Sequence, residues 1–127
     1  MKISNFRELA AYQKSFTLQQ DIFQLSKSFP KEETYSLTDQ IRRSSRSIGA
    51  NLAEAWRKRR YEAHFISKLT DADGENAETQ HWLETALACG YIEPETHRNL
   101  LLCSEEVGKL IGSMIQNASR WCAEVNS

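Results

Sequence analysis

Apolar residues recur along this chain every three or four positions, in long stretches separated by short polar breaks. The clearest stretch lies around residues 39–60, DQIRRSSRSIGANLAEAWRKRR. Leu37, Ile41, Ser44, Ile48, Asn51 or Leu52, and Ala55 alternate spacings of four and three, which keeps one face of a helix turned toward a partner. Ser45, Gly49, Ala50 and Ala53 beside that seam are too small to hold a neighbouring helix away. A second seam runs through Phe65, Leu69, Ala72, Asn76, Thr79, Leu83 and Ala86, and a third through Leu100, Val107, Ile111, Met114, Ala118 and Trp121. Nearer the N-terminus, Phe6, Leu9, Tyr12, Phe16 and Phe23 predict one apolar face, widened by Leu18, Ile22 and Leu25.

The breaks set the boundaries. Asn5 is placed to cap a first turn while Glu8, three residues on, reaches back. Phe29-Pro30 ends that helix, because proline restrains the residue before it. Ser36 is the expected cap of the next helix, with Asp39 in its first turn facing the helix dipole. Gly90 is a stop signal and Pro94 suits a first turn. The predicted helices span about 5–28, 36–57, 61–89 and 94–122. Long helices and short loops predict an all-α, up-down-up-down antiparallel four-helix bundle, one domain over residues 1–127.

Composition agrees with a globular profile: 40% hydrophobic and 26% charged residues, with two prolines and five glycines. No apolar run approaches the ~20 residues that span a bilayer, and MKISNFREL lacks the apolar core of a signal peptide. Cys89, Cys103 and Cys122 are too few and too widely spaced for a disulfide framework or a metal knuckle. They read as reduced, mostly buried thiols of a cytoplasmic protein. Net charge is only −1, but it is segregated. Residues 39–60 carry seven Lys/Arg against two acids, whereas residues 61–95 carry eight acids against Lys68 alone. Such segregation points to mutual pairing or to a complementary interface.

No catalytic constellation emerges. Glu78-x-x-His81 has the spacing of a di-iron ligand pair, but a di-iron bundle needs a second such pair and two further glutamates. His64 and His97, near helix starts, read as solvated. There is no G-x-S-x-G elbow and no phosphate-cradling glycine loop. The reading is no enzyme, no cofactor and no metal. Arg42, Arg43 and Arg46 crowd one helix and call for acids opposite, with Asp39, Glu54 and Glu78 as candidates. Arg43 is expected to be partly buried against Glu54 or Glu78. Buried polar groups of the third helix, Asn76 and Thr79, would draw on the same arginines. Ser104, Gly108, Gly112 and Ser119 form a stripe of small residues, read either as tight packing within the bundle or as a subunit contact. Arg57, Lys58, Arg59 and Arg60 are either a solvated helix end or a phosphate-binding rim, flanked by Trp56 and Tyr61 as stacking platforms.

These residues also carry a family resemblance. Gln40-Ile41-Arg42-Arg43-Ser44-Ser45, Ser47-Ile48 and Asn51-Leu52-Ala53-Glu54 resemble the signature of the bacterial four-helix-bundle family of ribosomal-RNA intervening-sequence proteins. Phe6-Arg7-Glu8-Leu9, Phe29-Pro30, Ala72-x-Gly74, Glu78-Thr79-Gln80 and Gly90-Tyr91-Ile92 extend the match over about residues 6–92. Helix four resembles the family in length and pattern alone. The resemblance implies a cytoplasmic bundle that assembles as a ring, commonly a homopentamer. It also implies kinship with the basic, nucleic-acid-binding accessory proteins of diversity-generating retroelements. Ala55 and Glu75 depart from the glycine and serine usual there, and Ala55 suggests a longer second helix.

Three functional readings follow. The first is a non-catalytic, ring-forming interaction bundle with a nucleic-acid or protein partner. The second is a nucleic-acid accessory protein that uses the 57–60 rim. The third is a metal or small-ligand carrier.

Overall fold

The computed structural model describes residues 2–126, and among them every regular element is helical. The long helices are α1 (Ala10–Ser26), α2 (Asp39–Arg57), α3 (Glu62–Ala88) and α4 (Pro94–Gln116), followed by a short α5 (Ala118–Asn126). α1 packs on α2, α2 on α3 and α3 on α4, and α4 returns to α1. The contacts run in opposite senses along neighbours. Arg43 meets Glu75 and Glu78 while Glu54 meets Lys68; Asn76 meets Ser104 while Glu84 meets His97. The result is an all-α helical bundle of antiparallel pairs. Among the described residues no helix is long and apolar enough to cross a membrane.

The seams of α2 and α3 fall where the periodicity puts them. All of Phe65, Leu69, Ala72, Asn76, Thr79, Leu83 and Ala86 are buried. On α2, Leu52 completes the seam, while Asn51 turns back to donate to the Ser47 carbonyl at 2.8 Å. Ala55 is fully buried, and the helix runs on to Arg57. The polar members of the seams form a closed layer. Ser44 and Thr79 share a hydrogen bond of 2.9 Å. Asn76 Nδ2 donates to the Ser104 carbonyl at 2.9 Å, and Ser104 Oγ donates to Asn76 Oδ1 at 2.7 Å. Gln80 adds a 2.9 Å bond to Ser104 Oγ. The partners of Asn76 and Thr79 are therefore serines, not the α2 arginines, and no buried side-chain nitrogen or oxygen among the described residues lacks a partner. A Cβ on Gly108 would lie 3.3 Å from Asn76 Nδ2, so that glycine belongs to the layer, whereas Gly112 faces open space. The small-residue stripe of α4 thus splits into an inner and an outer half.

Both ends of the chain depart from expectation. Asn5 does cap, accepting from the Arg7 N–H at 2.9 Å, but what it caps is a 3₁₀ turn over Phe6–Glu8. Leu9 is extended (ψ 129°) before α1 begins at Ala10. That break resets the helical phase, so α1 buries Ala11, Ser15, Leu18, Ile22 and Ser26 and leaves the aromatic run on its flank, with Phe16 45% exposed. The Ser36 cap is also corrected. Glu33 accepts from the Leu37 N–H at 3.4 Å and from Ser36 Oγ at 2.6 Å, and a wide π-type turn over Thr34–Thr38 leads straight into α2. Tyr91 donates to Glu33 at 2.8 Å, which pushes its phenol up to about 12 and ties the α3–α4 turn to the α1–α2 loop.

Gly90 ends α3 in the left-handed region at φ +76°, as a stop glycine should. α4 is shorter than predicted. It stops at Asn117 (φ −106°, ψ 24°), whose side chain bonds the Ser113 carbonyl at 2.8 Å, and α5 then carries the chain beyond residue 122. Trp121 is only half-buried while Cys122 is buried. Of the other cysteines, Cys103 is half-buried and Cys89 exposed, against the expectation of mostly buried thiols. His64 is exposed, but His97 is not solvated: it is 8% exposed and meets Glu84 at 3.0 Å.

Candidate nucleic-acid interface

α2 carries its cations in two groups, near its start and just past its end. At the end, the chain leaves the helix at Lys58 (φ −99°, ψ 12°) and re-enters one at Glu62. This turn separates Arg59 from its neighbours. The Arg59 guanidinium lies 3.4 Å from the centroid of the Trp56 ring. Its Nε donates to the Trp56 carbonyl at 2.9 Å, and Nη1 reaches the Trp121 carbonyl at 3.5 Å and Glu124 at 3.4 Å. Only 12% of that side chain is exposed. Burial lowers Arg59 from the ordinary arginine value, and Glu124 opposes the shift. From α5, Asn126 donates to the Arg59 carbonyl at 3.3 Å and the Arg60 carbonyl at 3.2 Å. Arg59 and its carbonyl therefore tie α5 to the turn.

Arg57, Lys58 and Arg60 are exposed. Among the described residues none of them lies within 4.0 Å of a carboxylate. Arg57 and Lys58 flank a shallow depression of about 400 Å³ with Phe6, Ala53 and Glu54. Trp56 is buried under Arg59 and against Trp121, so it offers no face to a base. Tyr61 is exposed, its ring 5.4 Å from His64.

The first group behaves differently again. Arg43 leans toward α3, bridging Glu78 and reaching Glu75 at 3.4 Å, while 47% of its side chain stays exposed. Glu78 also accepts from Trp82 Nε1 at 3.0 Å; that bond, then Arg43, holds its carboxyl below the usual range. Glu54 pairs with Lys68 at 3.3 Å, not with an arginine. Among the described residues Arg42 and Arg46 form no ion pair; both sit over the Phe23 ring, at 4.8 and 5.4 Å. Asp39 stays in the first turn without an ion pair among the described residues. Sequence periodicity could not separate Arg43 from Arg42 and Arg46. What separates them is Phe23, an aromatic on α1 that the periodicity assigns to the core.

The acids of α3 are mostly spent on these ties. Lys68 holds Glu54 and Asp71, Arg43 holds Glu75 and Glu78, and His97 holds Glu84. Among the described residues no three His, Cys, Asp or Glu side chains are grouped as a metal would need, and Glu78 of the E-x-x-H pair is turned to Arg43 and Trp82.

The chain is similar to known proteins in both sequence and fold. A family model, the 23S rRNA-intervening sequence protein, matches residues 7–113, from the first turn into α4. The fold is also similar to the crystal structure of a protein with unknown function from the S23 ribosomal protein family of Bacteroides thetaiotaomicron VPI-5482. That chain is 36% identical, with a TM-score of 0.76 over 84% of this chain and 95% of its own. No curated protein matches significantly.

Proposed function

The chain belongs to the 23S rRNA-intervening sequence protein family, and on that premise we propose a non-catalytic interaction bundle that assembles as a homopentameric ring and contacts nucleic acid through Arg57, Lys58 and Arg60. The observation that carries this reading is the sorting of cations at the α2–α3 turn. Arg59 is committed to Trp56, Trp121 and Glu124, while its three neighbours are exposed and form no ion pair among the described residues. In a ring, the free cations would repeat around one opening, and their potentials would add. The names of the family and of the solved relative, which speak of rRNA and the ribosome, point the same way. Support for assembly comes from Leu102, exposed on α4, and from the open space at Gly112. The non-catalytic part is supported by Glu33, Glu78 and Glu84, each engaged in a structural hydrogen bond.

Phosphate contacts release counterions, so binding should weaken steeply between about 50 and 200 mM salt and depend little on sequence. Fluorescence anisotropy with a labelled single-stranded oligonucleotide measures this. Arg57→Gln/Lys58→Gln/Arg60→Gln should abolish retention at the lower salt without changing the mass found by light scattering. That mass should be several times the 14.6 kDa of one chain. A monomer would remove the ring; wild-type protein that fails to bind at about 50 mM salt would remove the nucleic-acid contact.

A further inference from the structure

Phe23 carries more positive charge than a structural ring needs. Lys27 Nζ lies 4.8 Å from its centroid, Arg42 Cζ 4.8 Å and Arg46 Cζ 5.4 Å. None of the three has a carboxylate within 4.0 Å among the described residues. Cation–π attraction is weak at such exposed sites, and the cations repel one another, so the cluster is poorly explained as a source of stability. Arg42 is also held in place. Its Nε donates to Ser26 Oγ at 2.7 Å, and that buried hydroxyl itself donates to the Phe23 carbonyl at 2.9 Å. The terminal nitrogens of Arg42 make no hydrogen bond within the described residues, which leaves an oriented fork of the kind that suits phosphate oxygens.

The cluster has a direction as well. Arg42, Arg46, Ala50, Ala53 and Arg57 follow one another at spacings of four, four, three and four, one stripe of the helix surface. From Arg42 to Arg57 the rise is roughly 22 Å. Between the charged ends the floor is alanine: Ala50 is exposed and Ala53 half-buried. A groove of about 480 Å³ lies at the Arg42–Arg46 end, lined also by Asp39, Arg43, Ser47 and Ala50, and the Arg57–Lys58 depression lies at the other. On α1, a Cβ on Gly49 would stand 3.4 Å from Tyr12, which places Tyr12 beside the gap. Phe16, one turn on, is exposed and 6.1 Å from Tyr12, a ring available to an unpaired base.

We propose that Lys27, Arg42 and Arg46, gathered on Phe23, form a second phosphate-binding locus in line with the Arg57–Lys58–Arg60 turn, so that a single-stranded nucleic acid lies lengthwise along α2. This rests on the nucleic-acid reading of the turn. Two cationic loci joined by a low alanine floor suit a continuous chain of phosphates, and the aromatic flank suits bases, which an acidic peptide lacks. At about 3.4 Å per stacked nucleotide, reaching both loci takes about six or seven nucleotides.

The test compares wild type, Arg42→Gln/Arg46→Gln and the Arg57→Gln/Lys58→Gln/Arg60→Gln variant by anisotropy, using a labelled oligouridylate of about twelve nucleotides and another of about three. Losing two phosphate contacts should lower the slope of log K against log salt by about 1.4 for the longer strand. The longer strand should bind wild type well above the shorter one, and that advantage should vanish in either variant. Lys27→Gln/Arg46→Gln breaks no hydrogen bond and should shift binding in the same direction if Arg42→Gln unfolds the hairpin. Unchanged affinity and slope in both Phe23-site variants, with binding still lost in the turn variant, would overturn the second locus and leave the turn intact. Wild type that binds neither strand overturns both. A change in oligomeric mass with oligonucleotide binding intact would reassign the face to subunit contact, and equal competition by polyglutamate would reassign it to an acidic protein; either overturns the proposal.

Discussion

On α2, the inward and outward faces can be compared residue by residue. Inward, Ile41, Ile48, Leu52 and Ala55 are wholly buried, and Ser44 among them is bonded to Thr79. Outward, Arg46, Arg57 and Lys58 are exposed and meet no acid among the described residues. The inward residues are constrained by volume, because a close-packed interior registers a single methylene. The outward residues meet no such constraint, since exposed charges contribute little to folding. Function is therefore to be sought on the face whose composition folding does not require.

The largest test of the comparison is Leu52→Ala. Leu52 is fully buried in the α2 seam, so truncation should cost about 3 kcal/mol through lost transfer energy and a residual cavity. The matched change outside, Arg46→Ala, should cost less than about 0.5 kcal/mol. Thermal or urea unfolding of the two variants measures the ratio. Similar losses would mean that the outer face also carries the fold.

Arg59 breaks the pattern from within the basic block. Arg59→Ala removes the Trp56 stack and the ties to Trp121 and Glu124. It should destabilise by about 1–2 kcal/mol and loosen α5, read as faster hydrogen exchange at its amides. Arg57→Ala should do neither. If both variants melt alike, Arg59 is as dispensable to folding as its neighbours.

This split marks how far the sequence was legible. The seams of α2 and α3 could be read residue by residue, because one uninterrupted helix keeps its phase over its whole length. Phase was lost where a backbone break intervened. Leu9 resets the register between Phe6 and α1, and Asn117 does so between α4 and α5, and no glycine or proline announces either. The candidate site was half legible. That residues 57–60 are basic is plain in the sequence, but which of four adjacent cations is held depends on Trp56 and Trp121, sixty-odd positions apart and brought together only by the fold. Arg42 and Arg46 were expected to seek carboxylates; they sit on Phe23 because the phase shift in α1 left that ring on the flank beside α2.

The smallest effect belongs to Arg43, which straddles the two faces. Its side chain is 47% exposed, its partner Glu78 35%, and pairs so open to solvent contribute roughly 0.2–1 kcal/mol. Arg43→Ala should therefore move the melt only slightly at neutral pH. Acid is the sharper probe. Glu78 sits below its ordinary value of 4.5, first because Trp82 donates to it and second because Arg43 does. A carboxyl lowered in the folded state adds stability that is present above its unfolded value and is lost as pH falls through the lower, folded value. Glu8, Glu33 and Glu106 are lowered as well, so the wild-type melt should fall below about pH 4.5 through several groups together. Trp82→Phe keeps the ring and removes the larger cause, and should make that fall shallower than Arg43→Ala does. Melting curves from pH 6 down to about 3 decide the order. If Arg43→Ala flattens the acid limb more than Trp82→Phe, then Arg43 holds Glu78 as a buried ion pair would, and it belongs with the inward face.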